Sequence, residues 1–221
     1  MRFFFNLLLM VCLLGIFALT NSCKKDDENT IIVKGIITDA NLKTPIANAE
    51  VTFWASRIQN ATYNSNYISL ATTYTDANGN YVLQITKGKD AGFRITAEKA
   101  KYFGQTADIV VDALPAGTHT LNYSIYPEAF FKMNVKNNTP INNSDFISYW
   151  FYNTQPTGAN CCNNLAINFT GQFYENTVKC RTFGGQNIIV KWNVKKNNVV
   201  TYNESTIYCT PFDTTTFDLN Y

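Results

Sequence analysis

The side chains of this sequence that could do chemistry are few and scattered. Its 221 residues include six cysteines and one histidine, His119. A single imidazole excludes sites that need two, such as the His-rich zinc hydrolases or a His/His acid-base pair. The carboxylates form no obvious pair, since Asp213 and Asp218 are five residues apart in or near a predicted strand. We therefore expect no catalytic residue, no metal and no cofactor, and keep a hydrolase whose carboxylates meet only in space as a remote alternative.

Four cysteines lie in the C-terminal half, at Cys161, Cys162, Cys180 and Cys209. In an oxidising compartment their expected product is disulfides. Because a bond between adjacent cysteines closes a strained eight-membered ring, we expect Cys161 and Cys162 each to pair with one of Cys180 and Cys209, with the pairing open. A zinc site built from the four thiolates is the rival interpretation, and the missing Cys-x2-Cys spacing argues against it.

The densest aromatic run is Tyr149-Trp150-Phe151-Tyr152. In a strand, successive side chains point to opposite faces. One pair, Tyr149 and Phe151 or Trp150 and Tyr152, must then face the core. We expect Trp150 and Tyr152 to be the candidates for stacking on a ligand such as a sugar, with packing against another part of the chain or a partner as the simpler alternative.

The N-terminus is typical of a secretory signal peptide. Residues 1–22 carry one positive charge at Arg2 and then a long apolar run. The run is at the lower length limit for a membrane-spanning helix, which is the alternative interpretation. The junction LTNSC at residues 19–23 resembles a bacterial lipobox, with Thr20 in place of the usual leucine. The resemblance implies cleavage after Ser22 and lipid attachment at Cys23, so that acyl chains anchor the protein to a membrane.

Directly after Cys23 comes the charge run KKDDE at residues 24–28, which predicts a solvated tether over residues 23–30. The segment CKKDDE is similar to the export signal of Bacteroidetes surface lipoproteins. That similarity implies a location on the outer membrane, facing the cell exterior. Lys and Arg number 18 against 16 Asp and Glu, a balance that excludes a nucleic-acid partner.

The rest of the chain alternates short apolar runs with Asn, Gly, Asp and Pro, which predicts an all-β fold. We expect two consecutive antiparallel β-sandwiches, over residues 31–127 and 128–221. The strands predicted in the first are 31–38, 49–55, 68–75, 81–86, 93–98, 107–112 and 119–126. Those predicted in the second are 130–136, 146–152, 165–173, 177–182, 187–195, 199–202, 205–209 and 216–221.

The first sandwich resembles the carboxypeptidase regulatory-like domain, a transthyretin-like family. The opening segment VKGIITDANLKTPIANAEV (residues 33–51) is similar to that family's first strand and turn, and TYTDANGNYVL (residues 73–83) to its central hairpin. The resemblance covers less than half of the chain. It implies a seven-stranded sandwich found behind the lipobox of Bacteroidetes surface proteins. No family is recognised in the second sandwich.

The hairpin residues Asp76, Asn78 and Asn80 also have the spacing of calcium ligands. The glycine and the bidentate glutamate of an EF-hand loop are not in register, so we expect a tight turn at Asn78-Gly79 instead.

The function predicted from these features is that of a non-catalytic, lipid-anchored surface protein. It would be a binding or assembly module of the outer membrane, an accessory of an uptake complex or an adhesin, with an outer-membrane protein or a glycan as its partner. A carbohydrate-binding lipoprotein that uses exposed aromatic side chains is the alternative.

Overall fold

The computed structural model describes residues 29–59, 62–152, 156, 158 and 160–221. Within these ranges the regular structure is β-strand apart from one short 3-10 turn, so the predicted all-β sandwich fold is confirmed. The signal peptide 1–22, Cys23 and the charges at residues 24–28 lie outside the described residues.

The N-terminal half supplies the first eight strands. They are β1 (Thr30–Asp39), β2 (Glu50–Gln59), β3 (Thr62–Tyr74), β4 (Asn80–Thr86), β5 (Asp90–Glu98), β6 (Tyr102–Phe103), β7 (Gln105–Ile109) and, after the turn Val111–Ala113, β8 (Gly117–Thr120). The strand predicted at 119–126 is divided. The chain leaves the strand β8 at Leu121, whose N–H donates to Lys34 O, and begins another strand at Tyr123.

The C-terminal half supplies seven more strands. They are β9 (Tyr123–Lys136), β10 (Phe146–Tyr152), β11 (Ile167–Thr170), β12 (Glu175–Phe183), β13 (Gln186–Lys196), β14 (Val199–Cys209) and β15 (Thr214–Asn220). The two strands predicted at 199–202 and 205–209 are one strand, because β14 pairs with β13 without interruption from Val199 to Cys209. Asn197 and Asn198, both at positive φ, form the two-residue turn between β13 and β14.

The strands form one long sheet and two four-stranded sheets. The long sheet has the order β12-β9-β1-β4, with β15 and β6 also paired to β9 and β8 paired to β1. Its pairings β1 with β8, β1 with β9 and β9 with β15 are parallel, and the other described pairings are antiparallel. The sheet β3-β2-β5-β7 covers the N-terminal part of the long sheet, and β11-β10-β13-β14 covers the C-terminal part.

Each of the two sandwiches has its own core. The largest fully buried side chains of the N-terminal core are Ile31, Ile37, Phe53, Phe93, Ile95 and Ile125. Those of the C-terminal core are Phe131, Met133, Ile147, Tyr149, Ile188 and Leu219. Burying a side chain of this size contributes roughly 1.5–3 kcal/mol, so these positions hold the sheets against each other.

The strand β9 belongs to both cores. Its odd-numbered side chains are buried from Ile125, in the N-terminal core, to Val135, in the C-terminal core. The predicted boundary at 127/128 falls inside this strand, at Pro127. Proline has no N–H to donate, but Pro127 O accepts a hydrogen bond from Gly184 N at 2.7 Å. The strand therefore continues from one core to the next.

Aromatic side chains reinforce the junction between the two sandwiches. The ring of Phe183, at the end of β12, lies 4.4 Å from Tyr126 and 5.1 Å from Phe103, centroid to centroid. Arg181 lies over the Phe103 ring and pairs with Glu128. These contacts join side chains of both sandwiches and oppose independent motion of the two.

The connection between β3 and β4 is a tight turn at Asn78-Gly79, as predicted, but it does not form the predicted hairpin. The strand β3 lies in the sheet β3-β2-β5-β7, whereas β4 pairs with β1 in the long sheet, so the turn joins the two sheets. Gly79 has a φ of 75°, and a Cβ at this position would lie 2.6 Å from Ile37 O. The Asp76 carboxylate accepts hydrogen bonds from the N–H groups of Asn78 and Asn80 and from the Asn80 side chain. These hydrogen bonds lower the pKa of Asp76, and the carboxylate organises the turn itself.

Candidate functional site

The aromatic run of β10 divides between core and surface. Tyr149 and Phe151 are buried in the C-terminal core. Trp150 is half-buried and Tyr152 is 57% exposed on the opposite, outer face of the sheet. This is the alternation that the sequence predicts, and it resolves which pair faces the core.

Three side chains form a row across this outer face. Trp150 on β10 is the direct cross-strand partner of Lys191 on β13, and Lys191 is the partner of Glu204 on β14. The Lys191 Nζ lies 3.4 Å from Glu204 Oε2. We call this set the C-terminal row. Its one positive and one negative charge balance each other beside the indole.

The row lies in a groove of about 450 Å³ on the outer face. The groove is lined by Trp150, Lys191, Asn193, Tyr202, Asn203 and Glu204, and we call it the C-terminal groove. It combines two aromatic side chains with amides and one charge pair. A ligand with both an apolar face and many hydroxyl groups suits such a lining.

The two predicted stacking residues differ in their surroundings. Trp150 lines the groove, whereas Tyr152 is not part of the lining. The Lys191 Nζ lies over the Tyr152 ring at 4.7 Å from its centroid, in a cation-π contact. That contact covers one face of the Tyr152 ring, so of the two residues Trp150 is the one placed for stacking.

Tyr202 is the second aromatic side chain of the groove, and it is not among the site residues predicted from the sequence. It is 77% exposed on β14. The local sequence pattern predicts a strand that ends at Tyr202, which gives this residue no clear face. The alternation of Tyr202, Glu204, Thr206 and Tyr208 would have placed all four on one face of a longer strand.

The four cysteines of the described residues form one disulfide, between Cys162 and Cys180, which are 18 residues apart. Cys161 and Cys209 are free thiols, so the expected second bridge is not formed. The physical reason is alternation along the chain. Cys162 is buried toward Cys180 in the C-terminal core, whereas Cys161 pairs through its backbone with Arg181 and is partly exposed.

Burial makes both free thiols poor nucleophiles. It raises the pKa of Cys209 to about 11. It is also the largest cause of the raised pKa of Cys161, which the charge of Arg181 opposes and that of Glu128 reinforces. The thiolate is the reactive form of cysteine. Neither residue therefore resembles an activated catalytic cysteine.

Two carboxylates meet in a different groove, on the N-terminal sandwich. Glu50 on β2 and Glu98 on β5 are direct cross-strand partners in a cavity of about 530 Å³, which Tyr74 and Tyr102 also line. Tyr74 Oη donates a hydrogen bond to Glu50 Oε2 at 2.9 Å, and this bond raises the pKa of Tyr74. We call this cavity the carboxylate groove.

Among the described residues, no group of three or more His, Cys, Asp and Glu side chains is placed to hold a metal ion. None of the helical structure in those residues is long and apolar enough to span a bilayer. The proposed lipid attachment site, Cys23, lies outside the described residues.

No family model matches the chain, and no curated protein matches it. Solved structures that align with part of this chain include 3-chlorocatechol 1,2-dioxygenase from Rhodococcus opacus, at 12% identity and a TM-score of 0.35 over 46% of this chain and 61% of that one. The Bacillus anthracis TIE protein aligns at 10% identity and a TM-score of 0.36 over 87% of this chain and 34% of that one.

A third structure is the dioxygenase domain of a dioxygenase carbohydrate-binding protein fusion from Streptomyces sp. SirexAA-E. It aligns at 15% identity and a TM-score of 0.34, over 46% of this chain and 82% of that one. This chain thus spans about three fifths or less of the first two structures. At TM-scores this low, the three similarities carry no inference about activity.

Proposed function

We propose that this protein is a non-catalytic, lipid-anchored surface protein that binds glycans through the C-terminal groove. The observation that carries the proposal is the composition of one groove. Its lining contains two aromatic side chains, Trp150 and Tyr202, together with amide side chains and a balanced charge pair. Sugar rings have apolar faces and a rim of hydroxyl groups. Aromatic rings bind the faces, and amides and charged groups bind the rim.

The ligand of this groove is a neutral glycan. Lys191 and Glu204 contribute opposite charges that neutralise each other, so the groove offers no net charge to an anionic or a cationic ligand. Both side chains can still bind hydroxyl groups, since the ammonium donates and the carboxylate accepts.

The proposed location rests on the sequence. The lipobox-like junction at Cys23 and the following KKDDE run support an acylated protein on the outer face of the outer membrane. The similarity of the N-terminal sandwich to the carboxypeptidase regulatory-like domain supports the same location, as an accessory of an uptake complex or as an adhesin.

Affinity electrophoresis in gels that contain amylopectin, xylan, galactomannan or laminarin tests the binding function. We expect at least one of these neutral polysaccharides to retard the purified protein. Trp150→Ala should lose the retardation, whereas Tyr208→Ala, which removes an exposed tyrosine outside the groove lining, should keep it. Retardation by none of the four would contradict the glycan proposal and favour a protein partner.

Protease shaving of intact cells tests the location. The wild-type protein should be released from intact cells, and a Cys23→Ala variant should lose its membrane attachment. A wild-type protein that is protected until the outer membrane is broken would contradict the surface location and leave a periplasmic binding protein.

The carboxylate groove favours a hydrolase as the second candidate function, since Glu50 and Glu98 face each other there. Two carboxylates that flank a glycosidic bond are the usual machinery of glycoside hydrolysis. Release of reducing ends from the four polysaccharides decides between the candidates. The binding proposal predicts no release, and release by the wild type that is lost in Glu50→Gln would overturn it.

A further inference from the structure

A second row on the N-terminal sandwich repeats the C-terminal row. Trp54 on β2 is the direct cross-strand partner of Arg94 on β5, and Arg94 is the partner of Asp108 on β7. In both four-stranded sheets the tryptophan is on the second strand, the cation on the third and the carboxylate on the fourth. We call this set the N-terminal row.

The cation of each row contacts a carboxylate and a tyrosine ring. Arg94 binds Asp108 through two hydrogen bonds, from Nε to Oδ1 at 2.6 Å and from Nη2 to Oδ2 at 3.0 Å. Its guanidinium also lies 4.1 Å from the centroid of the Tyr67 ring. Lys191 likewise combines a carboxylate partner with a tyrosine ring. Each row therefore holds a neutralised cation between a tryptophan, a tyrosine and an acid.

The N-terminal row also lies beside a groove, of about 530 Å³. Its lining includes Trp54, Asn66, Tyr67, Arg94, Thr96 and Thr106, and we call it the N-terminal groove. The Trp54 Nε1–H donates to Thr96 Oγ1 at 3.0 Å, which fixes the indole in place. A fixed aromatic ring loses little conformational entropy when a ligand stacks on it.

The charged side chain of the groove lining, Arg94, is neutralised by Asp108, which lies beside the groove. The hydrogen bonds with Asp108 raise the pKa of Arg94, and the same bonds lower the pKa of Asp108. Both groups are therefore ionised at neutral pH, and their charges cancel. The uncharged lining consists of two aromatic rings, one amide and the hydroxyls of Ser65, Thr96 and Thr106, which is again suited to a neutral, hydroxyl-rich ligand.

We propose that the N-terminal groove is a second binding site for the same class of neutral glycan, so that the protein is bivalent. This inference rests on the proposed function of the C-terminal groove. The continuous strand β9 and the aromatic junction hold the two sandwiches together, so a polysaccharide long enough to reach both grooves binds the second site intramolecularly. Such coupling raises the apparent affinity for a long chain by roughly 100-fold over a short one.

Isothermal titration calorimetry with short oligosaccharides measures the number of binding sites per chain. The probes are maltohexaose, xylohexaose, mannohexaose and laminarihexaose. We expect the wild type to bind two molecules of one of them per chain. Trp54→Ala and Trp150→Ala should each bind one, and the double variant should bind none.

Matched controls separate loss of a site from loss of fold. Tyr67→Ala changes the N-terminal groove without removing its tryptophan, and Ile68→Ala removes an exposed neighbour that does not line the groove. Tyr67→Ala should weaken one of the two sites, while Ile68→Ala should leave both unchanged. All variants should show the wild-type melting temperature to within a few degrees if they are folded.

The outcomes distinguish the two proposals. One site per chain, lost in Trp150→Ala and kept in Trp54→Ala, overturns the second site and leaves the proposed function intact. One site lost only in Trp54→Ala contradicts the assignment of function to the C-terminal groove. Binding of none of the four probes contradicts both.

Discussion

Trp150 on β10 is the direct cross-strand partner of Lys191 on β13, and the Lys191 ammonium is held 3.4 Å from the Glu204 carboxylate. The indole therefore stands beside a charge pair and not beside a free cation. This arrangement gives the C-terminal groove polar contacts without a net charge.

Binding of a neutral polysaccharide should not depend on ionic strength. We expect the Kd to change by less than about twofold between about 50 mM and about 500 mM NaCl, because salt screens net attraction between exposed charges and none is used here. Affinity electrophoresis at several salt concentrations measures this. A tenfold loss of affinity over the same range would show that a charged ligand group is bound.

The single disulfide should carry a large part of the stability of the C-terminal sandwich. Cys162 and Cys180 are 18 residues apart, and for a loop of this length the chain-entropy model gives about 3 kcal/mol. Cys180→Ser should lower the free energy of urea unfolding by this amount, and Cys161→Ser, which removes a free thiol, should lower it far less. A non-reducing peptide map that shows Cys161 or Cys209 in a disulfide would contradict the assignment.

The two sandwiches should unfold together because β9 and the Phe183 contacts join them. We expect one calorimetric transition for the wild type. Phe183→Ala removes the ring that packs on Tyr126 and Phe103 and should split or broaden that transition. Phe173→Ala, at a position 80% exposed, serves as the control and should not change it. Two well-separated transitions in the wild type would show that the junction does not couple the sandwiches.

Tyr221 should make the protein sensitive to high pH. Its hydroxyl is buried with no hydrogen-bond partner in the described part of the chain, and burial raises its pKa from 10 to about 12. Because the folded state holds this proton to a higher pH than the unfolded state does, the group leaves the free energy of unfolding unchanged below pH 10 and lowers it as the pH rises from 10 toward 12. Unfolding free energy should therefore fall above pH 10.

Tyr221→Phe isolates this contribution. The variant should gain about 1 kcal/mol at neutral pH, because an unpaired buried hydroxyl is removed, and its stability should fall less between pH 10 and 12. Tyr208→Phe, at an exposed position, should behave as the wild type. An alkaline loss of stability in Tyr221→Phe equal to that of the wild type would contradict this account.

Local alternation predicted much of the fold and one residue of the groove. The period of two in the run from Tyr149 to Tyr152 places Trp150 on the outer face, since each side chain needs only its immediate neighbours to determine its face. The turn at Asn78-Gly79 is likewise predicted from residues that are only a few positions apart in the sequence.

The remaining features depend on pairing between distant strands. The sequence marks Pro127 as a strand break, but β9 continues through it because β6 and β12 pair on either side. Tyr202 joins the groove only because β13 pairs with the whole of β14. The alignment of Trp54 with Arg94 and Asp108 likewise requires the register of three strands, which no local pattern contains.

The most direct test of the central claim is the affinity of the Tyr202→Ala variant for the polysaccharide that retards the wild type. Tyr202 is the most exposed aromatic side chain of the C-terminal groove, so its removal should not disturb the core. We predict an affinity loss of about 10- to 30-fold, the usual cost of truncating an aromatic hot spot, with no loss in the matched Tyr208→Ala variant. Equal affinities of Tyr202→Ala and the wild type would contradict glycan binding in this groove.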